Sequence, residues 1–506
     1  MNQIKIGAAL NYVIIGLNTL VGLLYTPYML RMLGQNDYGL YSLVASVIAY
    51  LTILDFGFGN AIIRYTAKFR AERKQREQWE MFGMFLIVYS VIGLIAFAGG
   101  LALYYNVDTL FDRTMTAADT SQARIMMLLL TLNLLVTFPL SIFGSIITAY
   151  ENFIFQRGVN IIRIILSTAV MIAMLAIGFK AIALVVVQTV FNILVLVINY
   201  LYCRRKLRIK VWFGRFNWPF LREISLYSFW IFLNAIMDRI YWGTGQFVLG
   251  TTAGTAAVAV FSVAILLQQM YMTFSTSICS VLLPKVTAMV ANEKSDKELS
   301  DLFIRMGRFQ CIVMAFVLSG FMVFGNGFIN VWAGAEYHQS YLITCIFFIT
   351  LFVPLIQNTG ITILQARNQM KFRSLLYLAI STISLAMQII FSRHWGAIGC
   401  AVAIGGALIA GQWIIMNIYY AKSQRLNIAR FWHDIGKMMV IPVIFTTSGL
   451  LTCHFVDYTK ICHLILGMLL FSIMYIPAFW KFSMNQDERR TLAAPVNALI
   501  TRLKKH

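Results

Sequence analysis

The sequence predicts an all-α membrane protein that crosses the bilayer about fourteen times. Three observations carry that prediction. The chain is 59% hydrophobic and only 12% charged, about half the charge of an ordinary globular domain. Its mean hydropathy is +0.75, too apolar for a surface that water must wet. Its basic residues fall on alternate sides of one fixed register of spans, as the positive-inside rule requires.

Apolar stretches of roughly 20 residues, the length needed to cross hydrocarbon, begin near Ala8, Gly39, Met81, Ala123, Val159, Ala181 and Leu226. They continue from Ala256, Ile312, Tyr341, Leu375, Ala397, Met438 and Ile461. The first is not a cleavable signal peptide. It has a lone Lys5 upstream, runs on to Arg31, and lacks a small-residue cleavage site. With the N-terminus in the cytoplasm, 34 Lys and Arg fall inside, in the groups Lys5, Arg64 to Arg76, Arg157 with Arg163, Arg204 to Arg222, Lys285 to Arg308, Arg367 to Arg373, Lys422 to Lys437 and Lys481 to Lys505. Six fall outside, and Arg239 stays within a span. Both termini are therefore expected on the cytoplasmic side. The net charge of +21 reads as this asymmetry and not as a nucleic-acid footprint.

The topology excludes several classes of function. The longest outside loop, Tyr105 to Gln122, is too short to hold an acceptor for a membrane sugar transferase or polymerase. The inside segments are too short for a nucleotide-binding domain, and no P-loop, GxGxxG or HExxH occurs. Asp55-Phe56-Gly57 spells a kinase triplet but lies in an apolar helix without companion motifs. Cys453-His454 and Cys462-His463 flank a short outside turn. Neighbouring residues on a helix diverge by about 100°, so they read as interfacial residues, with no metal and no cofactor expected.

The chain repeats at an offset of about 216 to 220 residues. Pro139-Leu140, Gly144, Ala149, Phe155 and Arg157 recur as Pro354-Leu355, Gly360, Ala366, Phe372 and Arg373. Leu33-Gly34 before Tyr41-Ser42 recurs as Leu249-Gly250 before Phe261-Ser262. An offset of six spans makes the repeats parallel, an architecture common in secondary transporters. The expected organisation is an N-terminal lobe at 1–203, a basic cytoplasmic linker at 204–222 carrying Trp212, Phe216 and Trp218, and a C-terminal lobe at 223–421. Helices 13 and 14 and a basic tail fill 422–506. The two six-helix lobes are expected to form a V around a central cavity, with the last two helices peripheral.

The opening helices carry Pro27, Leu30-Arg31-Met32-Leu33-Gly34, Asp37-Tyr38-Gly39-Leu40-Tyr41, Leu54-Asp55-Phe56-Gly57-Phe58-Gly59 and Arg64-Tyr65; the seventh carries Asp238-Arg239-Ile240 before Leu249-Gly250. In these motifs the chain resembles the oligosaccharide flippases of the polysaccharide transporter family, within the multidrug/oligosaccharidyl-lipid/polysaccharide exporter superfamily. One departure is Pro284-Lys285, which stands where the first half has Arg64-Tyr65. The resemblance implies a non-enzymatic protein of the bacterial cytoplasmic (inner) membrane. It would move undecaprenyl-diphosphate-linked oligosaccharide repeat units from inner to outer leaflet during O-antigen, capsule or exopolysaccharide assembly. A polysaccharide polymerase and a chain-length regulator would be its partners. The alternatives are a drug/cation antiporter of the same superfamily and a flippase for lipid-linked peptidoglycan precursor.

A diphosphate and its sugars need a polar, cationic path through hydrocarbon, and ionisable residues within spans are costly enough to be functional candidates. The candidates for substrate binding are Arg239, Arg64, Arg31, Arg163 and Lys285, with Trp242, Gln246, Asn18 and Asn60. Arg31, Arg64, Arg163 and Lys285 are expected a turn or so from span ends. On the seventh helix Arg239, Trp242 and Gln246 share a face, beside Asn234, Asp238 and Tyr241. Asp55 and Asp238 are candidates for ion coupling or a structural pair. Asn11, Asn18 and Tyr25 on the first helix, and Asn133, Thr137, Ser141, Ser145 and Thr148 on the fourth, read either as cavity walls or as helix-to-helix contacts.

Overall fold

In hydrocarbon every backbone N–H and C=O must be paired within the protein, so a chain this apolar folds into helices. The computed structural model describes residues 3–111, 113–214, 217–280 and 282–493, and no strand occurs among them. Eleven helices among the described residues are long and apolar enough to cross a membrane. The protein is thus an all-α, multi-pass membrane protein.

The difference from about fourteen spans has three structural sources. Ala9–Ala71 is one apolar stretch whose first helix passes through Gly34 at φ 76° and ψ 171°. Lys371–Lys422 likewise passes through Gly396 at φ 55° and ψ −133°. Glycine alone adopts such angles readily, so each stretch is two rods joined at a sharp corner. The third is the helix Trp218–Trp242, which is helical throughout but carries Arg222, Glu223, Asp238 and Arg239 and so falls short in apolarity.

The described chain forms two compact units, Met1–Ser262 with Ile389–Ala397, and Val263–Gln388 with Ile398–His506. The first unit contains α1 (Gln3–Leu51), α2 (Phe58–Ala71), α3 (Gln75–Tyr105), α4 (Val107–Phe111), α5 (Ala117–Ala149), α6 (Phe153–Ala176), α7 (Ala181–Arg205), α8 (Trp218–Trp242) and α9 (Thr244–Thr252). Here α3 and α7 flank α5, and α1 lies along α6. The unit reaches past the 204–222 linker because α8 and α9 pack on α1 and α2. The Tyr50 hydroxyl meets Thr244 Oγ1, Tyr65 donates to Glu223 at 2.8 Å, and Phe56 stacks on Phe232 at 4.4 Å. Gly39 permits the closest approach: a Cβ there would run into the backbone carbonyl of Thr255.

The second unit contains most of α10 (Thr255–Ser280), then α11 (Leu283–Ala291), α12 (Asp296–Trp332), α13 (Gln339–Ile356), α14 (Asn358–Ala366), the bulk of α15 (Lys371–Leu408), α16 (Met416–Lys422), α17 (Ile428–Thr452) and α18 (Ile461–Phe482). Helix α12 is its spine, touched by α13, α14, α17 and α18. Its 37 residues span about 55 Å at 1.5 Å per residue, well beyond the roughly 30 Å of hydrocarbon. The surplus is the charged first part, opened by a Ser295/Glu298 capping box that satisfies the first helical N–H groups. Helix α18 buries one stripe, Leu464, Phe471, Tyr475 and Phe479, and leaves Ile465, Leu466, Leu469, Leu470 and Ile473 exposed, a face suited to lipid.

The repeat is visible in the order of elements. In the first half a 3-10 turn, Thr52–Asp55, and left-handed Phe56 and Gly57 interrupt a span before α2 resumes it. In the second half α10 ends at Ser280 and α11 resumes at Leu283 with Pro284 in its first turn. Pro139 lies inside α5 and Pro354 inside α13, matching the repeat.

Candidate substrate-binding site

Four helices of the first unit surround a polar cavity of about 550 Å³. Its lining follows helical periodicity. From α6 come Asn160, Arg163, Ile164, Ser167, Thr168 and Met171, at offsets of 3, 4, 7, 8 and 11 from the first. From α5 come Leu130, Asn133, Leu134 and Thr137, from α7 Gln188 and Asn192, and from α1 Asn18 and Val21. Such offsets put each set on one face of its helix.

One side of the cavity is fixed by side-chain hydrogen bonds. Asn192 Nδ2 donates to Asn133 Oδ1 at 2.9 Å and to Thr137 Oγ1 at 2.8 Å, while Thr137 donates to the Asn133 carbonyl at 2.7 Å. Gln188 Nε2 donates to the Tyr41 hydroxyl at 2.6 Å. Asn18, Asn160 and Arg163 make no side-chain hydrogen bond or ion pair among the described residues, and no carboxylate lines the cavity. It therefore carries one uncompensated guanidinium.

Arg163 lies in a helix that starts earlier than its apolar stretch does. Helix α6 starts at Phe153, six residues before the apolar onset at Val159, because Gln156 and Arg157 are helical too. That puts Arg163 ten residues into a helix of 24, about 15 Å along it.

The remaining expected residues are dispersed. Asn18 joins Arg163 at the cavity, where it stands exposed. Arg31 lies exposed three residues before the Gly34 corner, and Asn60 exposed on α2. Arg64, also exposed on α2, sets its guanidinium 5.7 Å from the centre of the Tyr65 ring. Arg239 is exposed near the end of α8 and forms no ion pair among the described residues. Asp238 beside it is exposed. Trp242 closes α8, edge-on to the Tyr241 ring at 5.0 Å. The helix breaks at Gly243, so Gln246 belongs to α9, where its amide donates to Ser262 Oγ at 2.8 Å. Asp55 sits in the interruption before α2 and accepts a 2.8 Å hydrogen bond from Tyr89. Lys285 is in the second unit, exposed on α11, beside a hollow shared with Arg305 and Phe309. The side chain of Asn234 and residue Phe216 lie outside what the structure describes.

The polar stripe of the fourth span has two roles. Asn133 and Thr137 line the cavity. Thr148 instead donates to Gln156 Oε1 at 2.9 Å, tying α5 to α6, and Ser141 donates to the Phe138 carbonyl of its own helix. Asn160, Gln188 and Asn192 escaped the sequence reading. On α6 the signal is present, since Asn160, Arg163, Ser167 and Thr168 are its polar face among Ile and Leu.

A family model described as "Polysaccharide biosynthesis protein" matches residues 28–342. No curated protein matches the chain. Among solved structures the fold is similar to "Lipid II flippase MurJ, inward closed conformation", with a TM-score of 0.72 at 17% identity over 94% of this chain and 99% of that one. It is also similar to an inward-facing multidrug resistance MATE family transporter, with a TM-score of 0.61 at 14% identity over 80% of this chain and 99% of that one. An outward-facing multidrug resistance MATE family transporter gives a TM-score of 0.54 at 13% identity, covering 82% of this chain and 92% of that one. At these identities the likeness is one of fold. The family match extends over more than half of the chain and runs through α1, α5, α6 and α7, so this multi-pass membrane protein belongs to the polysaccharide biosynthesis protein family.

Proposed function

We propose that the protein is a flippase for undecaprenyl-diphosphate-linked oligosaccharide repeat units, working between the leaflets of the bacterial cytoplasmic membrane with both termini inside. The observation that carries the reading is Arg163: a guanidinium within an apolar helix, on a polar cavity without a carboxylate. A drug/cation antiporter needs a negative charge at such a place, whereas an anionic, sugar-bearing head group needs what is here. Guanidinium is permanently charged and presents a planar fork to phosphate or carboxylate oxygens. On this reading Arg31, Arg64 and Arg239 serve the diphosphate, and the two six-helix repeats, 1–203 and 223–421, alternate access to it.

Translocation by the purified protein in proteoliposomes tests the reading. A lipid-diphosphate oligosaccharide should cross faster than in protein-free vesicles, while a peptidoglycan precursor and cationic dyes should not. Transport of the dyes alone would establish the antiporter instead.

A further inference from the structure

Resting on the flippase reading, we propose that the α1/α5/α6/α7 cavity is a subsite for one acidic sugar of the repeat unit, with the sugar's carboxylate held by Arg163. Charge is the first argument. A lone guanidinium within a span is costly, and no lining residue neutralises Arg163, so the occupied cavity holds an anion.

The hydrogen-bonding chemistry says what kind. A halide or the diphosphate of a carrier lipid only accepts hydrogen bonds. Amides and hydroxyls both donate and accept, and the lining is five amides and three hydroxyls beside one cation. A polyol uses both capacities. Asn133, Thr137 and Asn192 hold one another in place, and Gln188 is oriented by Tyr41 with its Oε1 acceptor left over. Asn18 and Asn160 keep whole amides for a ligand.

Size agrees. About 550 Å³ falls in the range of small-molecule sites and is many times the roughly 30 Å³ of a water. The carbon–hydrogen face of a sugar ring has apolar surface to rest on in Ile164, Met171 and Leu134.

An oxyanion could also come from the diphosphate of the carrier lipid, so the test carries both. Isothermal titration of the purified full-length protein would use D-glucuronate, D-glucose and inorganic phosphate. Glucuronate should bind at least tenfold more tightly than glucose. Arg163→Gln should abolish that advantage, Arg163→Lys should keep part of it, and Asn160→Ala should weaken both sugars. Melting curves identify a variant that has not folded, and Arg163→Lys keeps the question answerable if Arg163→Gln has not. Equal binding of the two sugars, binding of neither, or phosphate binding more tightly than glucuronate through Arg163 overturns the proposal.

A second measurement separates this idea from its premise. Flipping of a glucuronate-containing and a matched neutral repeat unit is compared in proteoliposomes. Equal rates for both sink the acidic subsite and leave the flippase standing. If neither moves, it is the flippase reading that fails.

Discussion

Arg308 and Glu488 meet across 180 residues of chain in a fork-to-fork pair, Nε to Oε1 at 2.5 Å and Nη2 to Oε2 at 3.0 Å. Glu488 is 2% exposed, and the guanidinium also donates to the carbonyls of Asp434 and Ser483, both at 3.3 Å. The segment after α18 is thereby pinned to the charged end of α12. Breaking a buried pair on one side strands a charge, at about 3–5 kcal/mol, while replacing both partners with apolar residues is often neutral. Arg308→Met and Glu488→Leu should each lower the melting temperature in detergent by several degrees. Arg308→Met with Glu488→Leu should recover most of that loss. A double variant as unstable as the two singles summed would show that the pair is not coupled.

Gly39 has no room for a methyl group, because the neighbour is backbone at Thr255 and cannot rotate away. Overpacking of this kind costs about 1–3 kcal/mol. Gly39→Ala should reduce the yield of monodisperse protein. Gly16, with open space where its Cβ would point, is the control, and Gly16→Ala should match the unaltered chain.

Arg239 is exposed at the end of α8 and has no carboxylate partner among the described residues. If it grips the diphosphate, Arg239→Ala removes charge-assisted hydrogen bonds of about 1.5–3 kcal/mol each, a tenfold to hundredfold loss of affinity for the lipid-linked substrate. Lysine keeps the charge and loses the fork, so Arg239→Lys should be partly active. Normal surface polysaccharide in a strain making Arg239→Ala at the normal level would end that role.

Energy for export can come from the membrane potential. A diphosphate carries about two negative charges, and each is worth about 2.3 kcal/mol per 100 mV, so leaving a negative interior releases roughly 4–5 kcal/mol. The emptied, arginine-bearing protein is pulled back by the same field. Proteoliposomes with an imposed potential and no proton or sodium gradient should therefore flip substrate, and Asp55→Asn should not prevent it. Full activity at zero potential, but only with an ion gradient, would transfer the coupling role to Asp55 or Asp238.

The all-α, multi-pass class is legible in the sequence because hydropathy is summed over many residues. Individual depths are not. Apolarity around Arg163 begins at Val159, whereas its helix begins at Phe153, because the polar Gln156 and Arg157 are helical too. The cavity itself depends on α1, α5, α6 and α7 meeting, and no single stretch encodes that. Nor does the spacing of Gln246 from Arg239 encode its tertiary partner, Ser262, which takes the amide.

Ties between successive turns make a helix stiff along its length. Between Leu51 and Phe58 those ties give way to a 3-10 turn and two left-handed residues, so the span has a compliant joint instead of a continuous rod. On the far side of that joint α2 is a short lever, hooked to α8 through the Tyr65–Glu223 hydrogen bond. Arg64 and Lys68 therefore ride on a segment whose direction is set by its own packing on α5, α3 and α8 and not by the rod that precedes the joint.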